Sequence, residues 1–234
     1  MESERLQTWL AVVPAMLVPA LGAYGYFVFY READTARLAY GATKVFTLLW
    51  PVLAVLLVQR ERWPAWPPAW INARALPLGL ISGLGIAVGM LGLMRTPLWE
   101  VLSAGQASIR LKAESFGFLR YYWLFGLLLS LFHSLLEEYY WRWFVFGRLR
   151  RVLPLAAAHG LAGAAFAAHH IVIASVYFGP VWGVALGTLV GGGGVIWSVL
   201  YVKQRTMVGA WVSHIFVDLG LMLIGHRLLF GAYV

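Results

Sequence analysis

Between Arg151 and Lys203 the chain runs for 51 residues, Val152 to Val202, without one aspartate, glutamate, lysine or arginine. A water-soluble domain has no place for such a run, because a surface helix needs a polar face and charged residues normally make up about 25% of a soluble sequence. A membrane span needs about 20 mostly apolar residues, so this length suits two spans and a turn. Phe178-Gly179-Pro180 supplies the turn, since Gly and Pro together interrupt a helical pattern. The whole chain shares the bias: of its 234 residues 61% are hydrophobic and 12% charged. That balance excludes a soluble globular enzyme and a disordered segment alike.

Apolar runs at Gln7–Tyr30, Leu38–Val58, Ala75–Met94, about Tyr121–Gly147 and Met207–Phe230 join the two arms around Gly179. The expected fold is all-α: a polytopic membrane helix bundle of about seven transmembrane helices, forming a single integral-membrane domain over residues 1–234. The N-terminal MESER is mixed in charge and no Ala-x-Ala-like site follows, so the first helix reads as retained rather than as a signal peptide. Lys44 falls near the first turns of the second helix, where its stem can snorkel to the surface. Trp63, Trp66 and Trp70, interspersed with prolines, read as an interfacial loop. Pro97 to Arg120 carries Glu100, Arg110, Lys112 and Glu114; it is too charged to span and reads as an amphipathic interfacial segment. Gly85 and Gly89 are spaced for close helix contact, as are Gly183, Gly187 and Gly191, and the run Gly191–Gly194 reads as close backbone packing.

With no cysteine, disulfides, thiolate metal sites and a Cys nucleophile are excluded. The net charge of +8 comes with no long basic run, so it points to loops at a membrane face and not to nucleic acid. Assigning loops alternately gives nine basic residues on the N-terminal side, including Arg60, Arg148 and Arg205, against seven opposite. That asymmetry predicts a cytoplasmic N-terminus. Arginine outnumbers lysine fifteen to three, a bias that suggests a GC-rich genome and hence a bacterial inner membrane.

Ionisable groups inside spans are expensive, so each marks a candidate site. They are His133, Glu137, Glu138 and Arg142 in the fourth span, His169 and His170 in the fifth, and His214 and Asp218 in the last. Glu138 and Arg142 stand at i and i+4 with the acid first, the favourable order for a pair. Their pairing leaves Glu137 as the carboxylate without an obvious charge partner on its helix, although His133 lies one turn before it. Phe166 lies one turn before His170, and His214 one turn before Asp218. His133, His159, His169 and His226, taken singly, read as interhelical hydrogen-bonding residues.

The residues Glu137–Arg142 spell EEYYWR, Phe166–His170 spell FAAHH, and His214–Asp218 spell HIFVD. These resemble the three motifs EExxxR, FxxxH and HxxxN/D of the CAAX protease and bacteriocin-processing family of glutamate intramembrane endopeptidases. The resemblance covers about Leu127 to Leu223, within a motif-bearing core of about residues 121–230. It implies that Glu137 is the general base for water, that His170 holds and polarises that water, and that His214 and Asp218 stabilise the oxyanion. Glu138 and Arg142 would shape the site, with Phe166 supporting it. No cofactor and no metal are implied, and the partners are the lipid bilayer and a peptide or protein substrate. The family often has Gly after the Arg of its first motif; Trp143 stands there and is expected to crowd the space such a Gly leaves. Asp218 is expected to accept a hydrogen bond from His214 and orient its ring. Rival readings are a metal-dependent intramembrane protease built on Glu137, His170 and His214, a haem-binding electron carrier, a proton-relay transporter, and an inactive binding protein on the same scaffold.

Overall fold

A computed structural model describes residues 2–30, 33–61, 73–115 and 117–231. Helices follow one another, with no strand among the described residues. They are α1 (Glu2–Phe29), α2 (Asp34–Val58), α3 (Ala73–Leu93), the short α4 (Leu98–Ala104) and α5 (Gln106–Ser115), α6 (Leu119–Val152), α7 (Leu155–Gln204) and α8 (Val208–Phe230). Six of these, all but α4 and α5, are long and apolar enough to cross a bilayer. Their exposed faces are rows of large apolar side chains such as Leu10, Leu17 and Leu21 on α1, which suits a lipid solvent. The Trp63, Trp66 and Trp70 loop lies outside the described residues.

The 50-residue α7 is a hairpin. At Gly179 the backbone takes φ 80° and ψ 163°, open to glycine and strained for any other residue. The two arms then run back along each other at backbone contact. A Cβ on Gly183 would fall 2.6 Å from Ser175 Cα, one on Gly187 2.8 Å from Ile171 Cα, and one on Gly191 2.9 Å from the Gly163 carbonyl oxygen. Gly194 packs the same way on the Phe166 ring, whereas Gly192 faces open space.

The expectation for Gly85 and Gly89 is corrected. Among the described residues neither has an atom within 4 Å of its added Cβ; α3 meets α8 instead through Gly79 and Gly83, whose Cβ atoms would sit 2.6 Å from Gly209 O and 2.7 Å from Ser213 O. Both glycine pairs have the same spacing, and the facing helix decides which is used.

Contacts sort the connections into two ends. At one, Glu61 after α2 binds Arg148 and Arg151 at the end of α6, and Gln204 donates to Ala75 O at 3.0 Å. At the other, Gln106 and Arg110 of α5 donate to Leu228 O and Leu229 O at 2.6 and 2.8 Å, satisfying carbonyls at the α8 C-terminus. Gly105 packs on Tyr177 and Phe178 at the hairpin tip, and Lys112 lies 4.1 Å from the Tyr26 ring centroid.

The largest buried cluster surrounds the second half of α6: Tyr140, Phe144, Phe146 and Leu149 pack against Ala11, Val12 and Ala15 of α1 and Phe166 and Trp197 of α7. Here α6 is not a plain α-helix. Its hydrogen bonding widens to π-turns over Leu129–His133 and Tyr139–Phe146, on either side of one α-turn at Ser134–Glu138. Such turns re-aim the side chains that follow. They bracket both glutamates.

Candidate active site

Arg142 is the charge around which the site is built. Its side chain is 2% exposed, with Nε 3.1 Å from Glu138 Oε2. The guanidinium lies 4.8 Å from the Phe166 ring centroid and 4.9 Å from that of Trp197, so aromatic faces from both arms of the hairpin surround the cation. Glu138 is fully buried, and its other oxygen, Oε1, lies 2.8 Å from His214 Nδ1. An ionised carboxylate only accepts, so His214 donates from Nδ1 and turns Nε2 toward the remaining groups. The His214 ring also stacks on Trp197 at 3.9 Å between centroids and 18° between planes, and Trp197 is itself fixed by donating to Ser213 Oγ at 3.0 Å. Position and tautomer of His214 are thus set by α6 and α7 jointly.

Glu137, about 100° round the helix from Glu138, points elsewhere. Its Oε1 lies 3.3 Å from His133 Nε2 and 3.9 Å from His169 Nε2, and its Oε2 lies 3.6 Å from His214 Nε2. His170 donates from Nδ1 to its own helix at Phe166 O, 3.0 Å away, which frees Nε2 as an acceptor. The family-like residues Glu137, Glu138, Arg142, Phe166, His170, His214 and Asp218 therefore come together from three helices, α6, α7 and α8. Phe166 touches the arrangement twice, as an aromatic face for Arg142 and as the backbone acceptor for His170.

Glu137 opens onto a cavity of about 450 Å³ between α1, α2, α6 and the first arm of α7. Apolar Phe27, Leu48, Leu136 and Ile173 line it beside His133, His169 and His170. Lys44 lines it too, ten residues past the start of α2 and six past Leu38, where the apolar run begins. Trp143 does not line the cavity; it is buried against Tyr139, with which it stacks at 5.2 Å and 13°. The crowding expected of it is absent because its ring leaves α6 on another face.

His133 and His169, read from sequence as scaffold, both stand against Glu137. For His133 the one-turn spacing was the available signal; for His169 there was none, because two adjacent histidines cannot be ranked without knowing which faces the cavity wraps. The expected bond from Asp218 to orient His214 is also different. Glu138 occupies Nδ1, and Asp218 Oδ1 lies 3.6 Å from Nε2, on the side shared with Glu137. Asp218 Oδ2 is buried without a hydrogen-bond partner among the described residues.

One donor atom each from Glu137, His169 and His170 lie within 4.8 Å of one another. Two imidazoles and a carboxylate are a ligand type that zinc accepts. Among the described residues the expected set of Glu137, His170 and His214 does not form such a group; His169 stands in place of His214.

Comparison with known proteins gives one family. Residues 119–220 match the family "Type II CAAX prenyl endopeptidase Rce1-like", and all the residues of the three motifs fall inside that segment. No curated protein and no solved structure matches the chain. The matched segment, less than half of the 234-residue chain, is what is similar to the CAAX protease family.

Proposed function

We propose that the protein is an intramembrane endopeptidase in which Glu137 activates water for attack on a peptide carbonyl, a reading supported by the similarity of residues 119–220 to that family. The observation that carries this reading is the unequal treatment of two adjacent glutamates. Glu138 is sealed between Arg142 and His214, whereas Glu137 faces a cavity with imidazole nitrogens around it. A general base needs reach and a free lone pair, and a buried ion pair offers neither.

The chemistry balances with the groups present. A water donates one hydrogen toward His170 Nε2 and loses its other proton to Glu137 as its oxygen bonds to the carbonyl carbon. Negative charge moves to the carbonyl oxygen, where His214 in its imidazolium form donates Nε2–H. The intermediate then collapses: the C–N bond breaks and the proton held by Glu137 passes to the leaving amine. Asp218 lies beside Nε2 and supports its protonated form through charge. A metal-assisted version of the same hydrolysis is favoured by one observation, the cluster of Glu137, His169 and His170. Chelation separates the two: the glutamate reading expects an unchanged rate, the metal reading a loss restored by zinc.

The same reading includes the topology. Seven crossings, with both arms of α7 spanning, put connections of the same parity together, in keeping with the way Glu61 meets Arg148 and Gln106 meets the end of α8. Segments α4 and α5 then lie at the interface as an amphipathic cap, and the N-terminus and the Glu61 end are cytoplasmic in a bacterial inner membrane. The functional test is comparative proteomics of membranes holding wild-type protein or Glu137→Ala. A peptide whose processing disappears with the glutamate supports the reading, and identical sets of termini overturn it.

A further inference from the structure

Glu61 leaves the basic end that it joins only partly neutralised. Its carboxylate holds Arg148 at 2.6 Å and also Arg151, whereas Arg150, Lys203 and Arg205 have no carboxylate within 4.0 Å among the described residues. Arg150 and Arg205 line one hollow of about 380 Å³ with Tyr201 and Val202. Arg150 comes from the end of α6 and the other three from the end of α7. The Arg150 guanidinium lies 5.7 Å from the Tyr201 ring centroid, and Phe146 meets the same ring edge-on at 6.2 Å. Neither the two guanidiniums nor the Tyr201 hydroxyl makes a hydrogen bond to a described residue. Arg205 is also unusual in its backbone: φ 55° and ψ 26° are left-handed, the region that glycine ordinarily fills after a helix. Its N–H closes α7 on Tyr201 O at 3.0 Å, a bond that glycine would make with less strain, so the cap does not call for an arginine. The hollow sits at headgroup depth, because Arg150 and Arg205 flank the charge-free run Val152–Val202.

We propose that this hollow is a phosphate-binding site, with the guanidiniums of Arg150 and Arg205 on the phosphate oxygens and the Tyr201 hydroxyl donating one further hydrogen bond. Arginine suits the task, since its planar fork of donors matches phosphate geometry. Basic pockets between spans at the membrane surface are where anionic headgroups bind. Two sources share the chemistry, the phosphodiester of an anionic phospholipid and free phosphate. Leu155 and Ile196, exposed within two turns of the hollow, give acyl chains an apolar surface that free phosphate would leave unused. The site is separate from the cavity of Glu137, which lies between other faces of the helices. It stands or falls apart from the endopeptidase reading.

Native mass spectrometry of the full chain in detergent tests this without requiring turnover. The protein is offered dioleoyl phosphatidylglycerol, dioleoyl phosphatidylcholine or inorganic phosphate, each alone. Phosphatidylglycerol should be retained about tenfold better than phosphatidylcholine, the scale of two basic side chains at an anionic membrane surface. The double variant Arg150→Gln with Arg205→Gln should bring that ratio to about one. Arg205→Gly should lower it as well while unfolding at no lower temperature, which separates loss of the side chain from loss of the fold. Lys203→Gln, an equal charge change at the same end but outside the hollow, should leave it unchanged. A phosphate adduct that the double variant loses, with no preference between the lipids, would identify free phosphate as the source. Equal retention of the two lipids with no phosphate adduct overturns the proposal. A preference that survives the double variant, or one that Lys203→Gln removes equally, overturns it too.

Discussion

Arg142, held between Phe166 and Trp197, decides what each glutamate can do. It fixes one oxygen of Glu138 and leaves the other to receive His214, so the pair works as a mount for the imidazole. Removing Arg142 strands a buried carboxylate, a loss of about 3–5 kcal/mol in comparable buried pairs. Arg142→Ala should therefore unfold at clearly lower temperature in detergent, while Glu137→Gln should stay within a few degrees of wild type. Activity should divide differently. His214→Ala should lower the rate on the order of 10²–10³-fold, the scale of a lost oxyanion donor. Glu138→Gln should cost more than Asp218→Asn, because Glu138 is the acceptor for the His214 Nδ1–H bond. Rate constants for the three variants on one cleavable peptide check the ranking. At this scale the sequence showed the Glu138–Arg142 pair through its spacing. It could not show that His214 completes the pair, because residues 76 apart meet only once the helices pack.

The hairpin α7 and the π-turns of α6 show what periodicity can and cannot disclose. A charge-free run broken at Gly179 was enough to place the bend, since Gly-Pro punctuation has a local cause. The glycine stripe on the second arm also followed from spacing, and its partners Ser175, Ile171 and Gly163 confirm the contact. Gly79 and Gly83 were passed over for Gly85 and Gly89 because a spacing rule has no knowledge of the facing helix. The π-turns at Leu129–His133 and Tyr139–Phe146 had no sequence signal at all. Gly187→Leu should overpack the arms and cost about 1–3 kcal/mol or more, whereas Gly192→Ala, with nothing within 4 Å of its new Cβ, should be nearly neutral. Thermal unfolding of the two variants in the same detergent measures the contrast.

Across the whole molecule the helices tie their connections together by end, and Glu61 is the clasp on one of them. Burial alone would raise its carboxyl, but the hydrogen bonds and charges of Arg148 and Arg151 outweigh that and hold it below the usual carboxylate range. A lowered folded-state value means that the ionised form stabilises the fold. That contribution is complete above the unfolded value of about 4.3 and disappears as pH falls through the lower folded value. The difference in unfolding temperature between wild type and Glu61→Gln should accordingly be constant near neutral pH and shrink below about pH 4. A difference that grows on acidification would contradict the clasp.

The central claim is that Glu137 is the base of a peptide hydrolase. Its most direct test is wild-type and Glu137→Gln protein, purified, reconstituted and incubated with an apolar peptide pool in ¹⁸O-labelled water, with products read by mass spectrometry. The account predicts new C-termini carrying one labelled oxygen from the wild type, and a rate at least about 10²–10⁴-fold lower from an equally folded Glu137→Gln. Cleavage by Glu137→Gln at the wild-type rate would contradict it.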